Sequence, residues 1–264
     1  MSTVLPDRAT LRGACTEFAC AAAREIMRIY AGDLGERAKA DKSPVTDADH
    51  AAEAIIVAGL RKLTPKRPVV AEEEMAAGRV PALDGGPFWL VDPLDGTKEF
   101  IKRNGEFTVN IALIENGRPT FGIVLAPATD TVWRGDRELG ADKSEGGGAF
   151  VPIATRAAPS GGLVACASRS HAIYSDLDIW FRNNGLTVAE RVQAGSSLKF
   201  CLIAEGKADI YPRFGPTNEW DTAAGQGVLE AAGGEVVTTD GKPLVYDKPR
   251  FSNPHFIARS KGAR

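Results

Sequence analysis

Apolar residues near the start of the chain recur at helical spacing. Leu11, Cys15, Phe18, Ala22, Ile26 and Ile29 share one face, which predicts a helix from about Thr10 to Tyr30, stopped at Gly32. A second helix is predicted to open near Thr46, with Asp47 and Asp49 in its first turn and Ile55, Ile56, Gly59, Leu60 and Leu63 facing inward. The polar link from Lys39 to Pro44 reads as mobile. Beyond it the period changes. Val69-Val70 and Phe88-Trp-Leu-Val91 are short, fully apolar runs of the kind buried in a sheet, and Pro93 is expected to end the second of them. From Thr108 to Gly148 the pattern is β-rich: strands at 108–114, 121–125 and 131–133, with an Asn116-Gly117 turn, predict an antiparallel meander.

After the Pro159-Ser-Gly-Gly162 punctuation the chain alternates. Strand 163–167, helix 174–183, strand 186–191, helix 196–205, strand 208–212, helix 220–232 and strand 234–238 follow in turn. This shift predicts two packed halves, an α+β half over residues 1–155 and an α/β half over residues 156–264. With 44% hydrophobic residues, the 264-residue chain can fill a sizeable core. Its 32 basic and 34 acidic side chains are balanced and form no long basic run, which argues against a nucleic acid polymer as partner. Cys15, Cys20, Cys166 and Cys201 make no Cys-x-x-Cys pair and read as small buried apolar groups in a reducing compartment. No leader or transmembrane run is evident, so the cytoplasm is the expected location.

The chemistry sits where apolar runs end. Asp92 and Asp95 flank Pro93 at the exit of the 88–91 strand, and two acids three residues apart across such a turn can chelate a hard cation. The Leu94 carbonyl can add a third oxygen, a donor set suited to Mg²⁺. Gly96-Thr97 open a turn whose free amides face outward. The other reading of this segment is a capped loop, with Asp95 as N-cap. Glu72-Glu73-Glu74 follow the 69–70 strand, and Asp221 lies in the first turn of the 220–232 helix. Each of these could equally be a solvated turn or an acid favoured by the helix dipole. Together, four carboxylates at strand and helix ends would need cations to converge.

Glu72-Glu73 after a strand, Asp92-Pro-Leu-Asp-Gly-Thr97 and Trp220-Asp-x-x-Ala-Gly225, in this order, resemble the signature of the Mg²⁺-dependent, lithium-sensitive inositol monophosphatase superfamily. Asn104-Gly-Glu-Phe-Thr-Val-Asn110, Ser168-Arg-Ser-His171, Gly195-Ser-Ser-Leu-Lys-Phe200 and Tyr211-Pro-Arg-Phe-Gly-Pro-Thr217 are similar to its bacterial 3'(2'),5'-bisphosphate nucleotidase branch. The resemblance implies a layered α-β-α-β-α sandwich. It implies one Mg²⁺ on Glu72, Asp92 and the Leu94 carbonyl, a second on Asp92, Asp95 and Asp221, and room for a third sharing Glu72. Glu72 and Thr97 would orient the attacking water, with the Thr97 hydroxyl donating to Asp47, and the Gly96 and Thr97 amides would bind the scissile phosphate. His171, Lys199 and Arg213 are candidate contacts to the rest of the substrate; the other reading is structural, a lone histidine being more often so, with Lys199 as a snorkelling side chain and Arg213 as partner of a surface acid. Glu219, acidic beside Trp220-Asp221, leaves the polarity of the ligand side open.

The implied activity is removal of the 3'-phosphate of adenosine 3',5'-bisphosphate, a step of sulfur assimilation. The alternatives are an inositol-1-phosphate or other sugar-phosphate phosphatase on the same scaffold, and a catalytically silent nucleotide or metal sensor. The family also implies peripheral attachment to the cytoplasmic face of the inner membrane in some relatives, which no basic amphipathic helix here supports.

Overall fold

A computed structural model describes residues 6–39, 43–168 and 174–263. Helix α1 (Arg8–Tyr30) starts on an Asp7 N-cap, and β1 (Arg37–Ala38) pairs with β2 (Pro44–Val45). Of the predicted mobile link, residues 40–42 lie outside the described residues. Helix α2 (Asp47–Leu63) is closed by a capping box in which Thr46 and Asp49 satisfy each other's ends. Then come β3 (Val69–Ala71), the short α3 (Glu72–Ala76), β4 (Phe88–Asp95), α4 (Thr97–Ile101), β5 (Thr108–Glu115), β6 (Arg118–Ala126), β7 (Thr131–Asp136), β8 (Gly140–Glu145) and β9 (Val151–Pro152). Strands β3 to β9 form one seven-stranded sheet in sequence order, parallel only between β3 and β4.

The second sheet is built from β10 (Leu163–Ser168), α5 (Tyr174–Asn183), β11 (Val188–Ala194), α6 (Leu198–Ala204), β12 (Ile210–Arg213), α7 (Glu219–Ala231), β13 (Gly234–Thr238) and β14 (Phe256–Ser260). Its strand order is β11-β10-β12-β14-β13. Strand β14, which the apolar pattern did not predict, fills the place between β12 and β13 and pairs antiparallel with both.

Side-chain alternation explains the layering. In β4, Trp89 and Val91 pack with α1 and α2, whereas Phe88 and Leu90 pack with α6, α7 and the second sheet. Strands β5 and β6 divide in the same way, so both faces are dry and the runs read as continuously apolar. Beyond the second sheet, Leu177 and Phe181 of α5 cover Leu163, Ala165 and Ile210. The layers are therefore helices, sheet, helices, sheet, helix. Helix α7 lies unusually close to the larger sheet: a Cβ on Gly122 would meet the Ala224 carbonyl at 2.3 Å, and one on Gly135 would meet the Val228 Cα at 2.4 Å. Those two glycines set the depth of α7, and with it the place of Asp221 in its first turn.

Two local expectations are corrected. Pro93 does not end its strand; β4 runs on to Asp95, and the ladder with β5 skips from Asp92 to Asp95 through an irregularity. Proline cannot donate to a ladder, so the chain bulges around it and resumes pairing at Asp95 opposite Thr108. The acids after β3 likewise form a helical turn, α3, with Glu73 buried, rather than a solvated turn.

Candidate active site

The ends of β3 and β4, the turn before α6 and the start of α7 meet around a cavity of about 330 Å³. Glu72, Asp95, Gly96, Thr97, Lys199, Arg213 and Asp221 all line it, and Asp92 lies buried beneath. His171 lies outside the described residues. Gly96 adopts φ 91°, a left-handed conformation that favours glycine, and a Cβ there would come 3.1 Å from the Glu106 carbonyl. That residue turns the chain from β4 into α4.

The carboxylates are under electrostatic load. Burial, then the charges of Glu72, Asp95 and Asp221, push the Asp92 carboxyl well above its ordinary range. Burial, then Asp95 and Glu72, do the same to Asp221. Burial also raises Glu72 and Asp95. Such mutual destabilisation of the ionised forms is relieved by cations. One is already present: the Lys39 ammonium lies 2.7 Å from Glu72 and 2.5 Å from Glu73. Burial would lower the Lys39 pKa, yet the two acids raise it. The all-oxygen donor set, its uncompensated charge and the stand-in ammonium fit hard divalent cations.

Thr97 makes the bond that decides between two candidate acids. Its hydroxyl lies 3.2 Å from Asp49 Oδ1 and 3.4 Å from the Leu94 carbonyl. Asp47 is not its partner: that side chain is half exposed and binds Arg37 at 2.6 Å. The assignment to Asp47 is thus corrected to Asp49, which is buried and also accepts from the Thr46 amide and hydroxyl, both at 2.7 Å. The sequence carried a signal for this. Asp49, Ala52, Glu53, Ile56 and Leu60 follow one helical stripe and are all buried, so Asp49 is an acid on the core face, whereas Asp47 points away.

Asp95 is held from the other side. Ser196 Oγ donates to its Oδ2 at 2.6 Å and Ser197 Oγ at 3.2 Å, while Asn110 Nδ2 binds Ser197 at 2.9 Å. Ser197 Oγ also lies 2.9 Å from the Asp221 carbonyl, and the Asn218 amide donates to Asp221 Oδ2 at 2.9 Å. Glu219 faces away from the cavity, accepting the amides of Asp247 and Lys248 at 2.9 Å each, so its acidity is structural. Phe200, Tyr211 and Phe256 form an aromatic floor, and Arg213 stands at its edge.

Residues 8–261 match the inositol monophosphatase family. The chain belongs to that family. It is 48% identical over 234 residues to the 3'(2'),5'-bisphosphate nucleotidase CysQ of Escherichia coli strain K12, covering 88% of this chain and 92% of the relative. The Haemophilus influenzae nucleotidase CysQ is 30% identical over 240 residues, covering 89% and 87%. Among solved structures, CysQ from Bacteroides thetaiotaomicron superposes with a TM-score of 0.81 at 37% identity, over 98% of this chain and 99% of that one. An inositol monophosphatase from Zymomonas mobilis gives 0.76 at 27% identity, over 96% and 94%. The family is one of metal-dependent phosphatases, generally using Mg²⁺, and its layered α+β architecture is the one described above. No helix among the described residues is long and apolar enough to cross a membrane.

Proposed function

We propose that the protein is a Mg²⁺-dependent phosphomonoesterase that converts adenosine 3',5'-bisphosphate to AMP and phosphate, the clearing step for a by-product of sulfate activation, and acts in the cytoplasm. The observation that carries the phosphatase reading is the meeting of Glu72, Asp95, Gly96, Thr97 and Asp221 in one cavity above buried Asp92. For the nucleotide, support comes from the likeness to the curated nucleotidases together with Arg213 at the cavity edge, a side chain suited to a second phosphate.

Glu72, Asp92 and the Leu94 carbonyl would hold one ion, and Asp92, Asp95 and Asp221 a second; a third could share Glu72. When bound, such ions neutralise phosphoryl oxygens and supply an acidified water. The chain does the positioning. Asp49 accepts from the Thr97 hydroxyl and fixes its rotamer, leaving the Thr97 oxygen lone pairs and the Glu72 carboxylate to orient the water and take its proton. The Gly96 and Thr97 amides at the turn into α4 face the scissile phosphate. Water adds to phosphorus, the ester oxygen leaves with a proton as the 3'-hydroxyl, and inorganic phosphate is released.

The test is phosphate release with Mg²⁺ from adenosine 3',5'-bisphosphate and from inositol 1-phosphate, side by side. At least tenfold higher kcat/KM for the nucleotide is expected. Equal or inverted preference assigns a sugar-phosphate phosphatase, and turnover of neither assigns a sensor.

A further inference from the structure

Lys199 was a candidate substrate contact, but its ammonium is committed elsewhere. The residue is 4% exposed, and its Nζ donates to the Ser196 carbonyl at 2.6 Å and the Ala194 carbonyl at 3.1 Å, over the Tyr211 ring. Ala194 ends β11 and Ser196 lies in the turn that joins it to α6, so the ammonium ties the two together. Within that turn Ser196 is held at φ 51°, a left-handed conformation that costs a non-glycine residue energy and persists only where its surroundings impose it. The same turn presents the two hydroxyls that grip Asp95 Oδ2. Ser196 Oγ also bonds Thr108 Oγ1, and Thr108 is the residue paired with Asp95 across the sheet.

We propose that Lys199 is a positioning residue for the metal site: it clamps the strained turn from beneath, and the turn, through Ser196 and Ser197, sets the orientation of the Asp95 carboxylate. This rests on Asp95 being a Mg²⁺ ligand, as in the proposed function. It differs from a substrate-contact role, because the ammonium bonds the carbonyls of the loop and acts on Asp95 rather than on the substrate.

The sign of one measurement separates this role from plain electrostatics. Removing a positive charge near the carboxylates would by itself tighten binding of a divalent cation. Loss of positioning loosens it. Titration calorimetry of Mg²⁺ into the metal-free protein, with no substrate, is therefore expected to show about tenfold weaker binding for Lys199→Met, the equivalent of one lost hydrogen bond. Ser196→Ala changes no charge and is expected to weaken binding to a similar extent, which keeps the test open should the lysine variant fold poorly. The double variant is expected to be no worse than Lys199→Met alone, since both act through one turn. Unchanged or tighter Mg²⁺ binding by folded Lys199→Met, or by Ser196→Ala, overturns the proposal, as does full additivity in the double variant. Absence of Mg²⁺ binding by the unsubstituted protein overturns the metal reading itself and this inference with it.

Discussion

Two groups of carboxylates lie against the seven-stranded sheet and behave in opposite ways. On the side covered by α1, Glu115 is bound by Arg8 at 2.6 Å, and Asp142 takes a bidentate pair from Arg134 at 2.8 and 2.9 Å and a further contact from Arg12. Burial pushes these carboxyls up, but the hydrogen bonds from Thr120 and Arg8, and from Arg134 and Arg12, hold them below their ordinary range. Around the cavity, burial raises Asp92, Asp95 and Asp221; neighbouring acids add to the rise at Asp92 and Asp221, while at Asp95 burial outweighs the Ser196 and Ser197 hydrogen bonds and the Lys199 charge. The first group is closed on itself and stabilises the fold. The second is left short of positive charge, and that deficit is what recruits an ion.

Replacing one acid from each group should break the comparison most visibly. Asp95→Asn is expected to lower kcat/KM at least a thousandfold, roughly 4 kcal/mol of lost transition-state stabilisation, while the melting temperature in EDTA stays level or rises. Asp142→Asn is expected to do the reverse, with activity at 25 °C retained but a loss of about 2 kcal/mol of stability, since Arg12 and Arg134 lose their shared partner. Activity assays paired with thermal melts check both. Near-normal hydrolysis by Asp95→Asn would refute the metal-site reading.

A finer contrast lies within one helix turn. Asp49→Asn is expected to cost about a hundredfold in kcat, because Thr97 loses its charged acceptor. Asp47→Asn, two residues away, is expected to leave kcat within about twofold, since an exposed ion pair with Arg37 contributes little. Steady-state kinetics of the two variants decide which acid orients Thr97; a large loss for Asp47→Asn alone would assign that role to Asp47.

What the sequence made legible follows from how each residue is constrained. The alternation in β4 to β6 and the stripes of α1 and α2 are imposed by burial on defined faces, so the pattern announces the elements. The motifs around Glu72, Asp92, Asp95, Thr97 and Asp221 are local in sequence, and all of them come to one place. Choosing Asp49 over Asp47 needed the face of α2, not the spacing alone. The Ser196-Ser197 grip on Asp95 and the Lys39 bridge to Glu72 join segments far apart in the chain, and no local pattern encodes such pairings. Strand β14 was missed for a related reason: its place is set by the gap between β12 and β13.

The smallest predicted effect concerns pH and rests on Glu53, an acid that belongs to neither group. It is buried on α2, and its carboxylate accepts the Glu73 amide at 2.7 Å. Burial, with the Glu73 and Glu74 charges, pushes its pKa up to about 7 from an ordinary 4.5, against the backbone hydrogen bonds it accepts. Between those values the folded protein holds a proton that the unfolded chain has released, so stability falls as pH rises through the window. Asp142 has the opposite linkage. Its contribution is fully present above its ordinary 3.8 and is lost as pH falls through its lower folded value. Melts in EDTA are expected to show Glu53→Gln matching the parent near pH 4.5 and exceeding it above pH 7, because the amide keeps the acceptor oxygen and removes the charge. A Glu53→Gln curve parallel to the parent across the whole range would show that Glu53 is ionised throughout, placing it with the paired acids under α1 rather than with the strained ones at the site.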